Sequence, residues 1–195
     1  SSKDFQYIIG NPPWVHAFSE DEKSKLRVLY KSASGKNIES YDVFIEQALN
    51  HLAVNGHLTY ILPEAILNIK AHTEIRKIII ENCCIKNLDF LGNAFDGVQC
   101  PSIILDLQCT HSALSTLGMN VNTSTESFTI NTERTVNSEY FSFTTSDAEY
   151  NVMNKIRNIS NASYLLGNAD FALGIVTRNN KKYISDKKNN ENEMV

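Results

Sequence analysis

Four consecutive residues, Asn11, Pro12, Pro13 and Trp14, combine groups that could do chemistry with a backbone that could hold them still. An Asn side-chain carbonyl and a proline main-chain carbonyl, held side by side, offer two acceptors for the two hydrogens of one planar amino group. The lone pair of an exocyclic amino nitrogen is conjugated into its ring. When both N–H groups donate hydrogen bonds to these two carbonyl oxygens, that lone pair is drawn out of the plane. The nitrogen becomes a better nucleophile, and Trp14 would stack on the ring face.

The element that must position these residues is the segment before them. Residues 5–9 are mainly aromatic and β-branched, which predicts a buried strand of the continuous apolar kind found in parallel sheets. Gly10 and the two prolines end this strand stiffly, because proline cannot donate a backbone hydrogen bond. A rigid ledge beyond the carboxyl end of a strand is where open α/β sheets bind ligands. The alternative is a surface turn, since Asn-Pro commonly starts turns and Trp is often a core residue.

The Asn-Pro-Pro-Trp segment resembles the catalytic motif of amino-group methyltransferases that use S-adenosylmethionine (AdoMet), above all the gamma-class adenine-N6 DNA methyltransferases. Residues 41–48, 55–63 and 90–95 are similar in order and spacing to the later motifs of that class. The resemblance covers residues 5–109 and returns at 174–184. The class includes restriction-modification enzymes in which methyltransferase and endonuclease share one chain.

This resemblance implies methyl transfer from AdoMet to the N6 of an adenine flipped out of double-stranded DNA. It implies that Asn11 and Pro12 accept from the adenine amino group and that Pro13 shapes the ledge beside the methyl donor. Trp14 and Phe95 would then sandwich the base, although Phe95 could also be a simple loop anchor. No general base is required, because positioning a neutral nitrogen against a sulfonium carbon is the main task.

The cofactor site is expected to be only half present. By resemblance, Phe44 packs an aromatic edge against the adenine of the cofactor, while a core Phe on an amphipathic helix is the alternative. A Rossmann-like AdoMet domain also needs a Gly-rich turn and an acidic residue for the ribose, and nothing before Asn11 supplies them. We therefore expect the catalytic half of the site in an excised fragment that is inactive alone and does not bind AdoMet at concentrations near a millimolar.

Further elements follow from periodicity and capping signals. A capping box at Ser19 predicts a helix over 20–31, and Ser40 is the expected N-cap of a second helix that Gly56 ends. Residues 57–62, 85–91 and 102–107 are predicted strands, and residues 73–82 and 147–159 are predicted helices. The last two strands are joined without a helix and should be antiparallel. The predicted fold class is α/β, the C-terminal half of a Rossmann-like methyltransferase sheet with a late antiparallel strand.

The predicted domain organisation has three parts: a partial methyltransferase domain over 1–109, an irregular linker and helix over 110–169, and the start of a target-recognition domain over 170–195. The third part rests on resemblance, with Arg178 standing where the family usually has glycine. Arg178, Lys181, Lys182, Lys187 and Lys188 form a basic cluster, which is either a DNA contact or a solvated tail.

Net charge, apolar runs and cysteine spacing restrict the expected partners and the expected compartment. The 195 residues carry a formal net charge of −4, which argues against a generic nucleic-acid binder but not against an enzyme that reads DNA through a separate domain. There is no membrane-spanning apolar run and no signal peptide. The four cysteines show neither metal-ligand spacing nor a disulfide framework, which favours a reducing cytoplasm.

Two other function classes remain. A protein glutamine-N5 methyltransferase presents the same planar amino group to a similar motif, and a non-catalytic DNA-binding or scaffold fragment would keep the motif as a relic. The expected partners are double-stranded DNA and the remainder of a parent chain. A second copy is a further partner, since an unpaired edge at residues 5–9 would invite strand pairing.

Overall fold

The computed structural model of the chain describes residues 5–95, 100–112, 114–160, 163, 165 and 167–170. The chain divides into two compact units, Ser1–Asn154 and Lys155–Val195. The first unit contains all the strands described below. In the second unit the described residues include the last residues of a helix and a turn at Gly167, whose φ of +80° suits glycine. The predicted basic cluster and the segment 174–184 lie outside the described residues.

One mixed sheet forms the centre of the first unit. Its six strands are β1 (Phe5–Gly10), β2 (Leu52–Pro63), β3 (Cys83–Gly92), β4 (Ser102–Cys109), β5 (Met119–Asn122) and β6 (Ser127–Ile130). Their order is β1-β2-β4-β3-β5-β6. β1 and β2 are parallel, whereas β4 runs antiparallel to both β2 and β3, as predicted from the missing crossover helix. The carboxyl ends of β1, β2 and β3 therefore lie at one edge of the sheet.

Four helices accompany the sheet: α1 (Glu20–Leu29), α2 (Ser40–His51), α3 (Thr73–Asn82) and α4 (Asp147–Arg157). The capping box predicted at Ser19 opens α1, and α3 has the predicted bounds. Ile45 of α2 and Ile75 and Ile79 of α3 are fully buried in one core cluster with alternate residues of β2, β3 and β4. No described helix is long and apolar enough to cross a membrane.

The prediction that residues 5–9 form a buried strand is wrong in one respect. They form β1, but Phe5, Tyr7 and Ile9 are 55%, 71% and 78% exposed. The reason is position: among the described strands β1 has a neighbour on one side only, so part of its apolar surface is left uncovered. Only Ile8 packs against the core cluster.

Both predicted ends of the second helix are also wrong. Helix α2 begins at Ser40, its N-cap is Glu39, and no side chain caps it. It ends at His51, and Gly56 lies inside β2. A Cβ on Gly56 would meet the carbonyl oxygen of Ala53 at 2.9 Å and that of Gln6 at 3.0 Å. Glycine is therefore required where β1 approaches β2 closely, and not as a helix terminator.

The segment that follows β4 contributes more to the first unit than its polar composition indicates. It contains the two short strands β5 and β6, and β5 extends the sheet by pairing with β3. Phe141 and Phe143 are 5% and 2% exposed and belong to the main core cluster. The sheet and core thus continue past residue 109.

All four cysteines are free thiols.

Candidate active site at the carboxyl edge of the sheet

The Asn-Pro-Pro-Trp segment leaves the sheet where β1 ends. Gly10 is in register with Tyr60 of β2, and a Cβ on Gly10 would lie 3.3 Å from the Tyr60 ring, so the two strands are closely apposed here. Pro12 is buried, whereas Asn11 and Pro13 are exposed. Together with Trp14 and Phe95 these three residues line an open cleft of about 300 Å³. The sequence placed all five residues in one site, and the structure brings them together.

Two hydrogen bonds from other elements hold the segment in place. The Ser40 hydroxyl, on a side chain in the first turn of α2, donates to the carbonyl oxygen of Pro13 at 2.6 Å. The indole Nε1–H of Trp14 donates to the carbonyl oxygen of Ile61 near the end of β2 at 3.3 Å. Ser40 is only 2% exposed, so water does not compete for its hydroxyl. Sequence alone does not indicate this role, because Ser40 has the residue type and place of an N-cap.

The aromatic rings of Trp14 and Phe95 touch each other. Their centroids are 5.2 Å apart and their planes meet at 82°, an edge-to-face contact. This arrangement leaves no gap for a base between the two rings. Phe95 is 37% exposed, and Trp14 is half-buried against the main core cluster. The predicted sandwich would therefore require Phe95 to move away from Trp14.

A buried polar network supports the turn that carries Ser40. The Tyr41 hydroxyl lies 2.8 Å from Nε2 of His72, and Nδ1 of His72 lies 3.0 Å from both carboxylate oxygens of Asp42. All three residues are 4% exposed or less. Burial raises the pKa of Asp42, an effect that the hydrogen bond and charge of His72 oppose, and burial with the nearby Asp42 raises the pKa of Tyr41. The network locks α2 to the segment before α3, and no local sequence signal indicates it.

Phe44 lies at a different cavity, on the side of α2 that faces β1. Its ring is 43% exposed, unlike its buried neighbours on the helix. It lines a groove of about 450 Å³ together with Tyr7, Ile9, Gln47 and Tyr60. An exposed aromatic edge in a mainly apolar groove fits the adenine of a nucleoside cofactor. The alternative for Phe44, a core residue on an amphipathic helix, does not agree with this exposure.

The described residues of this site are suited to positioning a ligand and not to proton transfer. Of the cleft lining that the structure describes, Asn11, Pro12, Pro13, Trp14 and Phe95, no residue is titratable. Within the described ranges, no group of three or more His, Cys, Asp or Glu residues has metal-binding geometry. The cleft offers carbonyl acceptors, a fixed backbone and two aromatic rings, which suit a flat aromatic ligand that carries an amino group.

The chain is similar in sequence to a family of restriction-modification methylases and to two Type II enzymes. Residues 1–96 match the Eco57I restriction-modification methylase family. The chain is 30% identical over 181 residues to the Type II methyltransferase M.VspI of Vibrio sp. (strain 343), covering 92% of this chain and 43% of that protein. It is 32% identical over 94 residues to the Type II restriction enzyme and methyltransferase RM.Eco57I of Escherichia coli, covering 46% of this chain and 9% of that protein. These matches confirm the resemblance to restriction-modification methyltransferases.

A solved structure shows the same fold. The modification subunit of a type I restriction enzyme from Vibrio vulnificus YJ016 superposes with a TM-score of 0.51 at 11% identity, covering 88% of this chain and 33% of that subunit. At this identity the likeness concerns the fold alone, and it agrees with the predicted α/β class. The chain spans less than half the length of each of these relatives.

Proposed function

We propose, from the match of residues 1–96 to the Eco57I restriction-modification methylase family, that the chain contains the catalytic centre of a site-specific DNA (adenine-N6) methyltransferase. The observation that carries the proposal is the cleft at the end of β1. There Asn11, the two prolines and two aromatic rings converge, and none of these five described lining residues is titratable. The names of two relatives, a Type II methyltransferase and a Type II restriction enzyme and methyltransferase, agree with this activity.

In the proposed reaction the two N–H groups of a flipped adenine donate hydrogen bonds to the Asn11 side-chain oxygen and to the Pro12 carbonyl oxygen. Trp14 stacks on one face of the base, and Phe95 leaves its edge-to-face contact to cover the other. The Ser40 hydroxyl donates a hydrogen bond to the Pro13 carbonyl oxygen, and this bond fixes the position of the Asn11–Trp14 segment relative to the amino group. These residues orient the nitrogen and shield it from water, which is the larger part of the task for a neutral nucleophile.

Bound AdoMet supplies the methyl group on a sulfonium sulfur. On this chain Phe44 would hold the adenine of the cofactor from the groove beside β1, since its ring is exposed there while its helical neighbours are buried. Double-stranded DNA is the proposed substrate, and further sequence beyond these residues is the proposed source of the remaining cofactor contacts and of target recognition.

The test is the substitution Asn11→Ala in an active protein that contains this chain. It removes one of two acceptors at the reacting nitrogen, and loss of such an aimed contact commonly lowers turnover by about a hundredfold or more. Single-turnover transfer of labelled methyl to duplex DNA measures the step, and filter binding on the same samples should show unchanged DNA affinity.

The matched control is Asn50→Ala, which changes an exposed Asn on α2 and should leave transfer unaffected. Near-normal transfer by the Asn11→Ala variant would remove Asn11 from the mechanism. Labelling of a protein glutamine, with no labelled adenine, would instead indicate a glutamine-N5 methyltransferase.

A further inference from the structure

A second cavity opens at the same edge of the sheet as the methylation cleft. We call it the strap cavity, because residues of the segment 138–144, here called the strap, form one wall, namely Tyr140, Phe141, Ser142 and Thr144. The turn after β2 and the end of β3 form the other walls. Glu64 immediately follows β2, and β2 is the neighbour of β1 in the sheet. Adjacent strands are about 4.8 Å apart. Gly10 is in register with Tyr60, and Glu64 lies four residues further along the chain, so the strap cavity begins one strand over from the end of β1 and about 13 Å further in the strand direction.

The walls of the strap cavity are fixed to each other by a buried guanidinium. Arg76 is fully buried and donates to the carbonyl oxygens of Ile66 at 2.7 Å and Ile69 at 2.9 Å, in and just after the turn that follows β2. The same side chain donates to the carbonyl oxygens of Ser138 and Glu139 in the strap, both at 2.7 Å. The cavity is thus built into the fold and is not a gap between loosely packed segments.

The backbone adds a further tie between the two walls. The N–H of Phe141 in the strap donates to the carbonyl oxygen of Leu67 at 2.6 Å, and both side chains are buried in the main core cluster. Residues on either side of this tie reach the cavity surface, so their side chains project from a rigid support. A preformed cavity of this kind binds a ligand without the entropic cost of ordering its walls.

The lining of the strap cavity selects the chemistry of its ligand. Phe90 and Tyr140 supply aromatic surface, Glu64 supplies a carboxylate and Ser142 a hydroxyl. The described residues of the lining include no Lys, Arg or His, so the cavity is unsuited to a phosphate. A carboxylate beside aromatic rings suits a flat, neutral ring that bears an amino group. Carboxylates accept from the N4 amino group of cytosine, and aromatic side chains stack on any base.

The volume of the strap cavity agrees with such a ligand. It is about 310 Å³, against about 300 Å³ for the cleft that is proposed to hold the target adenine. We propose that the strap cavity binds a second unstacked nucleobase with an exocyclic amino group, cytosine or adenine, next to the methylated adenine. Glu64 accepts from its amino group and Tyr140 stacks on its face. This inference rests on the proposed function and extends it to a neighbouring nucleotide.

The experiment uses the 195-residue chain and its own fluorophore. Trp14 is the sole tryptophan, so quenching of its fluorescence reports on occupation of the methylation cleft. The probes are single-stranded hexanucleotides of thymine that contain one adenine, alone or with one neighbouring thymine replaced by cytosine. We expect cytosine to lower the dissociation constant about tenfold, within the range for a good polar contact to a base edge.

Glu64→Ala, which removes the acceptor that a glutamine amide oxygen would retain, should abolish this preference for cytosine while leaving the affinity for the thymine-flanked probe unchanged. Tyr140→Ala should weaken the cytosine probe by about tenfold through lost stacking. The control is Glu126→Ala, which removes an exposed carboxylate in the β5–β6 turn and should alter nothing. Thermal melts confirm that each variant is folded.

Two negative outcomes are distinct. Quenching that is the same with cytosine and thymine, or a cytosine preference that survives Glu64→Ala, would overturn the strap-cavity proposal and leave the proposed function standing. If no adenine-containing probe quenched Trp14, while melts showed a folded chain, the adenine site itself would be refuted and the second subsite with it.

Discussion

At the scale of single residues, the site depends on one hydroxyl that the motif does not contain. The carbonyl of Pro13 is held by Ser40, which belongs to another element and lies 27 residues away. Because Pro12 and Pro13 have no N–H, the ledge cannot be stabilised by its own backbone donors at these positions. A side chain from α2 supplies the contact, and the Tyr41–His72–Asp42 network keeps that turn of α2 in place.

The first prediction concerns this hydroxyl. We expect Ser40→Ala to lower the turnover of methyl transfer about tenfold with little change in KM, since a loosened ledge misplaces the acceptors and not the bound DNA. The free energy of unfolding should fall by only about 1 kcal/mol, the worth of one hydrogen bond. Single-turnover transfer and urea denaturation measure the two effects.

Ser40→Thr keeps the hydroxyl and should restore most of the turnover. If Ser40 acted only through packing, keeping the hydroxyl would not be needed for turnover. Ser24→Ala is the matched control, since the exposed Ser24 also donates to a main-chain carbonyl, at 2.8 Å, but on the remote helix α1. Equal turnover for Ser40→Ala and the unmodified protein would show that the ledge is held without this bond.

A second prediction separates the two aromatic rings. Phe95 is 37% exposed and touches Trp14 by its edge, whereas Trp14 also packs on the main core cluster. Alanine at either position should weaken binding of the flipped base by about 1–3 kcal/mol. Only Trp14→Ala should lower the melting temperature as well. Calorimetric melts and DNA binding test this; a large loss of stability from Phe95→Ala would make that ring a structural anchor.

At the scale of elements, the strap depends on a buried cation. Arg76 of α3 joins the turn after β2 to residues 138 and 139 through main-chain carbonyls. Burial lowers the pKa of Arg76, and the charge of Asp42 opposes that shift. Arginine suits this place because its planar fork presents five donors in fixed directions.

The third prediction is that Arg76→Met lowers the free energy of unfolding by about 3 kcal/mol or more, because several buried carbonyls lose their donor at once. Arg76→Lys should recover only part of this loss, since an ammonium group cannot reach both walls. Lys77→Met on the same helix removes an exposed pair with Glu74 and should cost at most about 0.5 kcal/mol. Urea denaturation compares the three; an Arg76→Met variant as stable as Lys77→Met would contradict the role.

Strand β1 lies at an edge of the described sheet. It pairs with β2 on one side and carries the exposed Tyr7 and Ile9. An apolar edge strand is a template for pairing with another strand.

We therefore expect the chain to self-associate, so that the mass measured by light scattering rises with protein concentration. Ile9→Lys should suppress this association, because charged residues on an edge oppose strand pairing. Val28→Lys, on the exposed side of α1, is the control and should leave it unchanged. A single monomeric mass at high concentration would contradict the prediction.

At the scale of the whole molecule, carboxylates tie the later part of the chain to the sheet. Glu133 accepts from the Thr116 N–H at 2.8 Å and from the Ser115 hydroxyl at 2.7 Å. Slight burial raises the pKa of Glu133, but these hydrogen bonds outweigh it and the net pKa is lowered. Asp147 behaves alike: burial raises its pKa, and bonds from the Asn131 N–H and Arg134 bring the net pKa below its ordinary value.

The fifth prediction follows from the sign of these shifts. A carboxyl whose folded-state pKa is lowered binds protons less readily than in the unfolded chain, so the stability it contributes is complete above its unfolded pKa. That contribution is lost as the pH falls through the folded pKa. We expect the melting temperature to drop as the pH is lowered from about 5 towards 3, and Glu133→Gln to flatten the drop. An unchanged pH profile for Glu133→Gln would exclude this carboxylate as a cause, and Glu126→Gln serves as the control.

The sequence alone determined the features that depend on neighbouring residues. The end of β1 at Gly10, the capping box at Ser19 and the bounds of α3 all follow from local rules. The antiparallel pairing of β3 and β4 follows from the short connection between them. The association of Asn11 with Phe95 came from motif resemblance and not from local rules.

Tertiary structure decided the contacts whose partners are distant in sequence. Ser40 has the type of an N-cap, yet its hydroxyl binds Pro13 27 residues away; Arg76 reaches Glu139 across 63 residues. The apolar residues of β1 have the pattern of a buried strand, but burial depends on what lies on both sides of a strand, and among the described strands β1 has one neighbour. A residue type states which bonds a group can make, whereas only the folded chain brings a particular partner within reach.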